Sequence, residues 1–173
     1  MTRSMNSVIF AVLRQSARIR NRSLRNVFLF VTMTVPLGAH ASPATNEAEA
    51  RALLTKFVAA QNAHSVSGVR AMLWNSPATL LLARGAETRG PGAIADRFKG
   101  YYEGTWHIEP DMSLFHITSV SKNVMQFLVP VVFTRGLPGQ PSQDSKFLVI
   151  QTLVRDANGW HIASIISIAN AQP

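Results

Sequence analysis

Apolar and polar positions follow two different periods along this chain, and the point where the period changes divides it. From Glu47 onward, Ala50, Leu53, Leu54, Phe57, Val58 and Gln61 recur at helical spacing. They predict an amphipathic helix capped by Thr45 or Asn46, with Glu47 and Glu49 in a first turn where the helix dipole favours negative charge. The helix ends near His64, and Gly68 marks the turn. Residues 69–74 predict a further helical turn or two, stopped by Asn75-Ser76-Pro77 because the residue before proline avoids the helical region. Residues 78–84 read as a strand and 85–92 as a turn-rich connection. Residues 93–103 return to helical period, with Ile94, Phe98, Tyr101 and Tyr102 on one side. After Gly104 the pattern is β-rich: 105–109, 113–121, 124–135, 146–156 and 160–170 predict strands. Ser121-Lys122-Asn123 reads as a tight turn and Asp156-Ala157-Asn158-Gly159 as a hairpin loop. A longer loop, 136–145, joins the two long strands.

Helices grouped ahead of a run of antiparallel strands indicate an α+β domain in which a curved sheet wraps the helices. The local wording agrees with a known family. Phe57-Val58-Ala59-Ala60-Gln61-Asn62-Ala63, Gly90-Pro91-Gly92-Ala93-Ile94 and Asn158-Gly159-Trp160-His161-Ile162-Ala163-Ser164 resemble the first helix, the opening of the third helix and the final strand of SnoaL-like and ketosteroid-isomerase-like members of the nuclear transport factor 2-like superfamily. The resemblance covers residues 47–170. It implies a cone-shaped domain of about three N-terminal helices packed on a curved, mostly antiparallel sheet around a pocket, in a superfamily where sheet-to-sheet homodimers are common. Two departures limit what it implies about chemistry: Ser65 stands where relatives often carry an acid, and Ser164 where they often carry a histidine.

Charge changes the picture at the N-terminus. Of the 17 basic residues, Arg3, Arg14, Arg18, Arg20, Arg22 and Arg25 precede Asn26, and the first acid is Glu47, so the net charge of +8 falls by these 6 to +2 over the remainder. A near-neutral domain lacks the clustered Lys and Arg that nucleic acid requires. The apolar stretch 27–37 is too short to span a bilayer, which takes roughly 20 residues, and Gly38-Ala39-His40-Ala41 follows it with small residues at the positions a signal peptidase reads. Residues 1–41 are thus expected to be a signal peptide cleaved between Ala41 and Ser42, leaving an exported, periplasmic or secreted domain of residues 42–173 with no membrane anchor. An uncleaved anchor and a mitochondrial transit peptide are the alternatives, and a start codon chosen too far upstream would explain the long basic lead.

The absence of cysteine excludes disulfides, thiolate nucleophiles and iron–sulfur clusters. His64, His107, His116 and His161 lack the paired spacing of a zinc site, and no phosphate loop or dinucleotide fingerprint occurs, so neither metal nor cofactor is expected. Most acids lie at helix starts or in loops. Asp96, His116 and Tyr102 are the groups left for proton transfer, and without a paired acid and base no catalytic residue is assigned. Trp74, Tyr102, Trp106, Phe127, Gln151 and Ser164 are expected to line a mostly apolar pocket of the composition small-molecule sites have. Strands 124–132 and 148–154 are apolar on both faces, which predicts a homodimer formed through the sheet. The function expected is an exported, non-catalytic domain that binds a small hydrophobic molecule or serves as an accessory. The alternatives are a lyase or isomerase on a small hydrophobic substrate and a sheet-mediated homodimeric interaction module.

Overall fold

The computed structural model describes residues 43–169; the signal peptide expected over residues 1–41 and its expected cleavage between Ala41 and Ser42 lie outside them. The elements run α1 (Pro43–Asn62), α2 (Val66–Met72), β1 (Leu80–Ala83), β2 (Ala86–Arg89), α3 (Pro91–Tyr101), β3 (Thr105–Pro110), β4 (His116–Val120), β5 (Val124–Gly136), β6 (Gln143–Asp156) and β7 (Gly159–Ala169). The strands form one sheet in the order β2-β1-β7-β6-β5-β3, with β4 paired to β5 beyond the end of β3. All pairs are antiparallel except β1 with β7. This is the expected α+β architecture of three helices on a mostly antiparallel sheet.

Helix α1 starts at Pro43 rather than beside Asn46, because proline fits the first turn, where its missing N–H would have had no partner anyway. Asn46 is therefore buried inside the helix instead of capping it. Glu47 pairs with Arg51 one turn on at 2.8 Å. Glu49 takes on a role its sequence position did not suggest. One carboxylate oxygen accepts from the Trp160 indole at 2.7 Å and from Arg155, tying α1 to the β6–β7 hairpin. Ala50, Leu54, Phe57 and Gln61 form the buried stripe that meets the inner face of the sheet.

The chain leaves α1 through His64, a non-glycine residue in the left-handed region (φ 53°). The amides of His64 and Ser65 close back on the carbonyls of Gln61 and Ala60, both at 2.9 Å, the pattern that normally ends on glycine. Histidine holds this position through its ring, which stacks on Tyr102 at 4.8 Å and bonds the Trp106 carbonyl at 3.0 Å. Ser65 then caps α2, its hydroxyl accepting from the Gly68 amide, so Gly68 lies inside a helix and the turn falls earlier than the glycine suggested.

Two differences from the sequence expectation shape the far edge of the sheet. Residues 86–89, read as part of a connection, form strand β2, because Arg84 (φ 55°) and Gly85 (φ 77°) make a two-residue hairpin turn. On β7 the register slips by one at Ala163: Thr152 faces Ser164 while Leu153 faces Ile162. The extra residue is a β-bulge, and it moves every later side chain of β7 to the other face.

At the opposite edge, β3 exposes the backbone groups that β5 does not use. Asn62 covers them: its amide nitrogen donates to the Ile108 carbonyl at 2.9 Å, and its amide oxygen accepts from the Ile108 N–H at 2.8 Å. Replacing Asn62 with alanine strands both groups beneath α1 and should cost about 2 kcal/mol, since each unmet backbone group costs about 1–3 kcal/mol. Asn62→Asp, which keeps only an acceptor, should recover part of that loss. Urea unfolding of the two variants measures both effects, and an unchanged midpoint for Asn62→Ala would remove the clamp from the account.

Candidate functional site

The inner face of the sheet closes on the helices toward one end and leaves a cavity toward the other. At the closed end Met125, Phe127, Leu153, Ile162, Val69 and Leu73 are fully or almost fully buried against one another. Toward the open end, Leu54, Phe57, Val58 and Gln61 of α1 face Val131, Phe133 and Arg135 of β5 and Phe147, Val149 and Gln151 of β6. Trp106, Ile108, Phe98 and Tyr101 close one flank; Leu81, Ala83, Arg84, Ile165 and Ser167 close the other. The space is about 60 Å³. Aromatic rings frame it in a connected series: Tyr101 stacks on Trp106 at 4.7 Å, Trp106 meets Phe133 edge-on at 5.4 Å, and Phe133 meets Phe147 at 5.2 Å.

This apolar wall carries polar atoms with nothing to bond. Four buried side-chain atoms among the described residues lack a partner, and three of them, Trp106 Nε1, Arg135 Nε and Gln151 Oε1, belong to cavity-lining residues. A buried polar atom left unpaired costs about 1–3 kcal/mol, more when charged, so three in one cavity are a concentrated local cost. Two are donors and one is an acceptor.

The mouth is cationic. Arg135 is the last inward-facing residue of β5, its guanidinium 5.8 Å from the Phe133 ring and 5.3 Å from that of Phe147. Burial, and next the like charge of Arg84, lower its pKa from the ordinary arginine value. Outside the cavity, Arg84, Arg135, Phe147 and Ser167 also border an open recess of about 420 Å³ together with Ser145, Lys146 and Ala169.

Of the residues expected at the pocket, Trp106 and Gln151 line this cavity and four do not. Phe127 pairs in register with Gln151 but is wholly buried, its ring 4.8 Å from Phe115, and belongs to the core below. Trp74 is held beside the first half of β7 by the hydrogen bond that its backbone N–H donates to the Ile162 carbonyl, about 16 Å along the strand from Ser167 at roughly 3.3 Å per residue. Ser164 would face inward by simple alternation from Ile162, but the bulge at Ala163 turns it outward and brings Ile165 and Ser167 inward. Tyr102 stacks on His64 outside the lining, and burial pushes its hydroxyl above the ordinary phenol range, which keeps it protonated. Asp96 is exposed on α3, and His116 is exposed on β4 with its ring against the Leu114 carbonyl. Among the described residues, no three His, Asp or Glu side chains gather into a cluster that could hold a metal.

Sequence reasoning missed Arg84, Arg135, Phe133 and Ser167. Arg135 was within reach, because it shares strand parity with Phe127, Val129 and Val131. Arg84 and Ser167 depend on the hairpin and the bulge, for which the chain carries no simple signal.

No family model matches the chain, and no curated protein sequence does. Solved structures do. A nuclear transport factor 2-like superfamily protein from Salmonella enterica aligns at TM-score 0.64 and 18% identity, over 76% of this chain and 95% of its own. A protein described as a candidate dehydratase of the same family, from Streptomyces avermitilis, gives TM-score 0.65 and 15% identity over 76% of this chain and all of its own. One described as a candidate calcium/calmodulin-dependent protein kinase II association domain, from Xanthomonas campestris, gives 0.63 and 16% over 79% and 100%. At these identities the likeness is one of fold.

Gln151→Leu should leave stability unchanged or raise it by about 1 kcal/mol, since it removes a buried amide whose oxygen bonds nothing and keeps a similar volume. Urea denaturation measures this, and a loss of more than that amount would assign the amide a structural role.

Proposed function

We propose that this chain, built on the nuclear transport factor 2-like fold, is an exported domain that binds a small hydrophobic molecule without converting it. The observation that carries the reading is the cavity: an apolar, aromatic enclosure whose only unsatisfied groups are hydrogen-bond donors and an acceptor, the makeup of a small-molecule site. Among the described residues its lining contains no Asp, Glu or His, the side chains that most often transfer protons, and the hydroxyl of its one tyrosine, Tyr101, is already taken as acceptor by Arg97. The groups considered for that role, Asp96, His116 and Tyr102, lie outside it. Export rests on the basic lead, the short apolar stretch and Ala-His-Ala at 39–41.

Trp106 provides the test. Small hydrophobic metabolites, titrated as a panel, should change its fluorescence, and Trp106→Phe should remove the response even though Trp74 and Trp160 remain. Asp96→Asn and His116→Ala should bind as the parent does, and no member of the panel should be converted. Conversion that disappears in either variant would replace this reading with an enzyme.

A second reading, compatible with the first, concerns assembly. On the outer face of the sheet Leu128 lies beside Ile150, Ile150 beside Ile166, and Leu148 beside Ile168. Four of these are only half-buried and Ile168 is 48% exposed, a contiguous apolar patch of the kind that marks an interface. The proposed homodimer covers it. Light scattering should give twice the protomer mass at micromolar concentration, and Ile150→Lys should halve it while the Trp106 response survives. A parent protein that scatters as a monomer would dismiss this assembly.

A further inference from the structure

We propose that the molecule this cavity holds is a small aliphatic carboxylate, with its chain directed inward and its carboxylate against Arg84 and Arg135 at the mouth. The inference rests on the cavity being a binding site and goes on to name the class of ligand.

Charge is the first argument. Arg84 and Arg135 both line the cavity, and neither forms an ion pair with any described acid. The acids close by in sequence are engaged elsewhere: Glu87 pairs with Arg89, and Asp144 accepts from the Thr134 hydroxyl at 2.7 Å on the outward side of its strand. The buried Nε of Arg135 has no acceptor, so this guanidinium, flanked by Phe133 and Phe147, is partly withdrawn from water without a counter-charge. Arg84 is exposed at the same opening, and one exposed and one partly buried guanidinium beside each other match a carboxylate, which accepts their N–H groups in pairs.

Backbone conformation is the second argument, and it is independent of the first. Arg84 occupies the first central position of the β1–β2 hairpin at φ 55°, where asparagine, aspartate or glycine is normally chosen. A bulky residue held in the left-handed region is strained, and such strain gathers at functional sites. Space outside Gly85 is open, so crowding does not dictate the turn. What arginine supplies there is a cation at the cavity mouth.

Volume decides the shape of the rest. The cavity, open at its mouth, offers about 60 Å³, well under the roughly 150 Å³ that admits a benzene. A short alkyl chain fits, whereas a ring system would have to remain in the outer recess. The apolar walls behind the arginines exclude a bare inorganic anion as the matched ligand, since it would leave them unused.

Pentanoate and its uncharged counterpart pentanamide separate these contributions, with Trp106 fluorescence as the readout and inorganic phosphate as a competitor. Pentanoate should bind at least tenfold more tightly than pentanamide, and phosphate should displace it only at far higher concentration. Arg84→Asn, which keeps Arg135, should reduce the preference for pentanoate over pentanamide several-fold while raising the melting temperature, because asparagine suits the turn; a residue that merely supported the fold would not move the two in opposite directions. Arg135→Gln should also reduce the preference, and Arg84→Asn decides the matter should that second variant fold poorly. Equal binding of acid and amide, or a preference that Arg84→Asn leaves undiminished, overturns the carboxylate assignment and leaves ligand binding intact. Displacement by equimolar phosphate overturns the inward chain. Silence toward pentanoate and pentanamide alike overturns the proposal, and only silence toward the whole hydrophobic panel as well would overturn the binding site itself.

Discussion

The two hydrogen bonds between the Asn62 side chain and the backbone of Ile108 hold the arrangement on which the cavity depends. An edge strand needs something along its free side, and here that is the end of a helix instead of another strand. The amide of asparagine presents a donor and an acceptor on one side, so it meets the C=O and N–H of Ile108 as a residue of a neighbouring strand would. Next to it, the ring of His64 takes the Trp106 carbonyl. These contacts fix α1 against β3, the elements that give the cavity Leu54, Phe57, Val58 and Gln61 on one side and Trp106 and Ile108 on the other. Without the clamp, the helix has no defined distance from the sheet edge and the space between them has no fixed width.

The two ends of the inner face show opposite solutions to the same packing problem. At the closed end, Met125, Phe127, Leu153 and Ile162 fill the interior with hydrocarbon, each worth about 1.5–3 kcal/mol of burial. At the open end the chain forgoes such filling and accepts an indole N–H, an amide oxygen and the Nε of a guanidinium that bond nothing. A sequence shaped by stability alone would use leucine or phenylalanine there. Local disagreement between packing rules and the residues present is what a site looks like when the rest of the domain obeys those rules.

Much of this was readable in the chain because it follows from period. The buried stripe of α1, the aromatic side of α3 and the long strands β5 to β7 all announce themselves through spacing, and the order of helices before strands then leaves few architectures open. The site was less readable, for reasons that can be named. Strand β2 was missed because its hairpin uses Arg84-Gly85, which lacks the asparagine or aspartate that signals such a turn. Ser164 was placed inward because alternation was carried through Ala163, and a bulge cannot be seen in alternation that stays apolar on both faces. Trp74 and Phe127 were chosen for their type; their neighbours in the folded chain, rather than their chemistry, keep them from the cavity. Arg135 was legible by parity and passed over because a charged residue at a strand end is ordinarily solvated.

The bulge at Ala163 gives β7 two reading frames. Upstream of it, the inward position is Ile162, whose identity is dictated by the close-packed end; downstream, the inward positions are Ile165 and Ser167, which answer to the cavity and its mouth. Because the frame is reset between them, the two sets are free to vary separately: changes that retune the mouth need not propagate into the core along the strand. The same reset confines tolerance of length change to one place in the strand. Loss of Ala163 itself would join the two frames and leave Ser164 outward and Ile165 and Ser167 inward, whereas loss of a residue further along β7 would turn the positions beyond it to the wrong face, so the bulge is the one point where this half of the strand can shorten and keep its inside and outside.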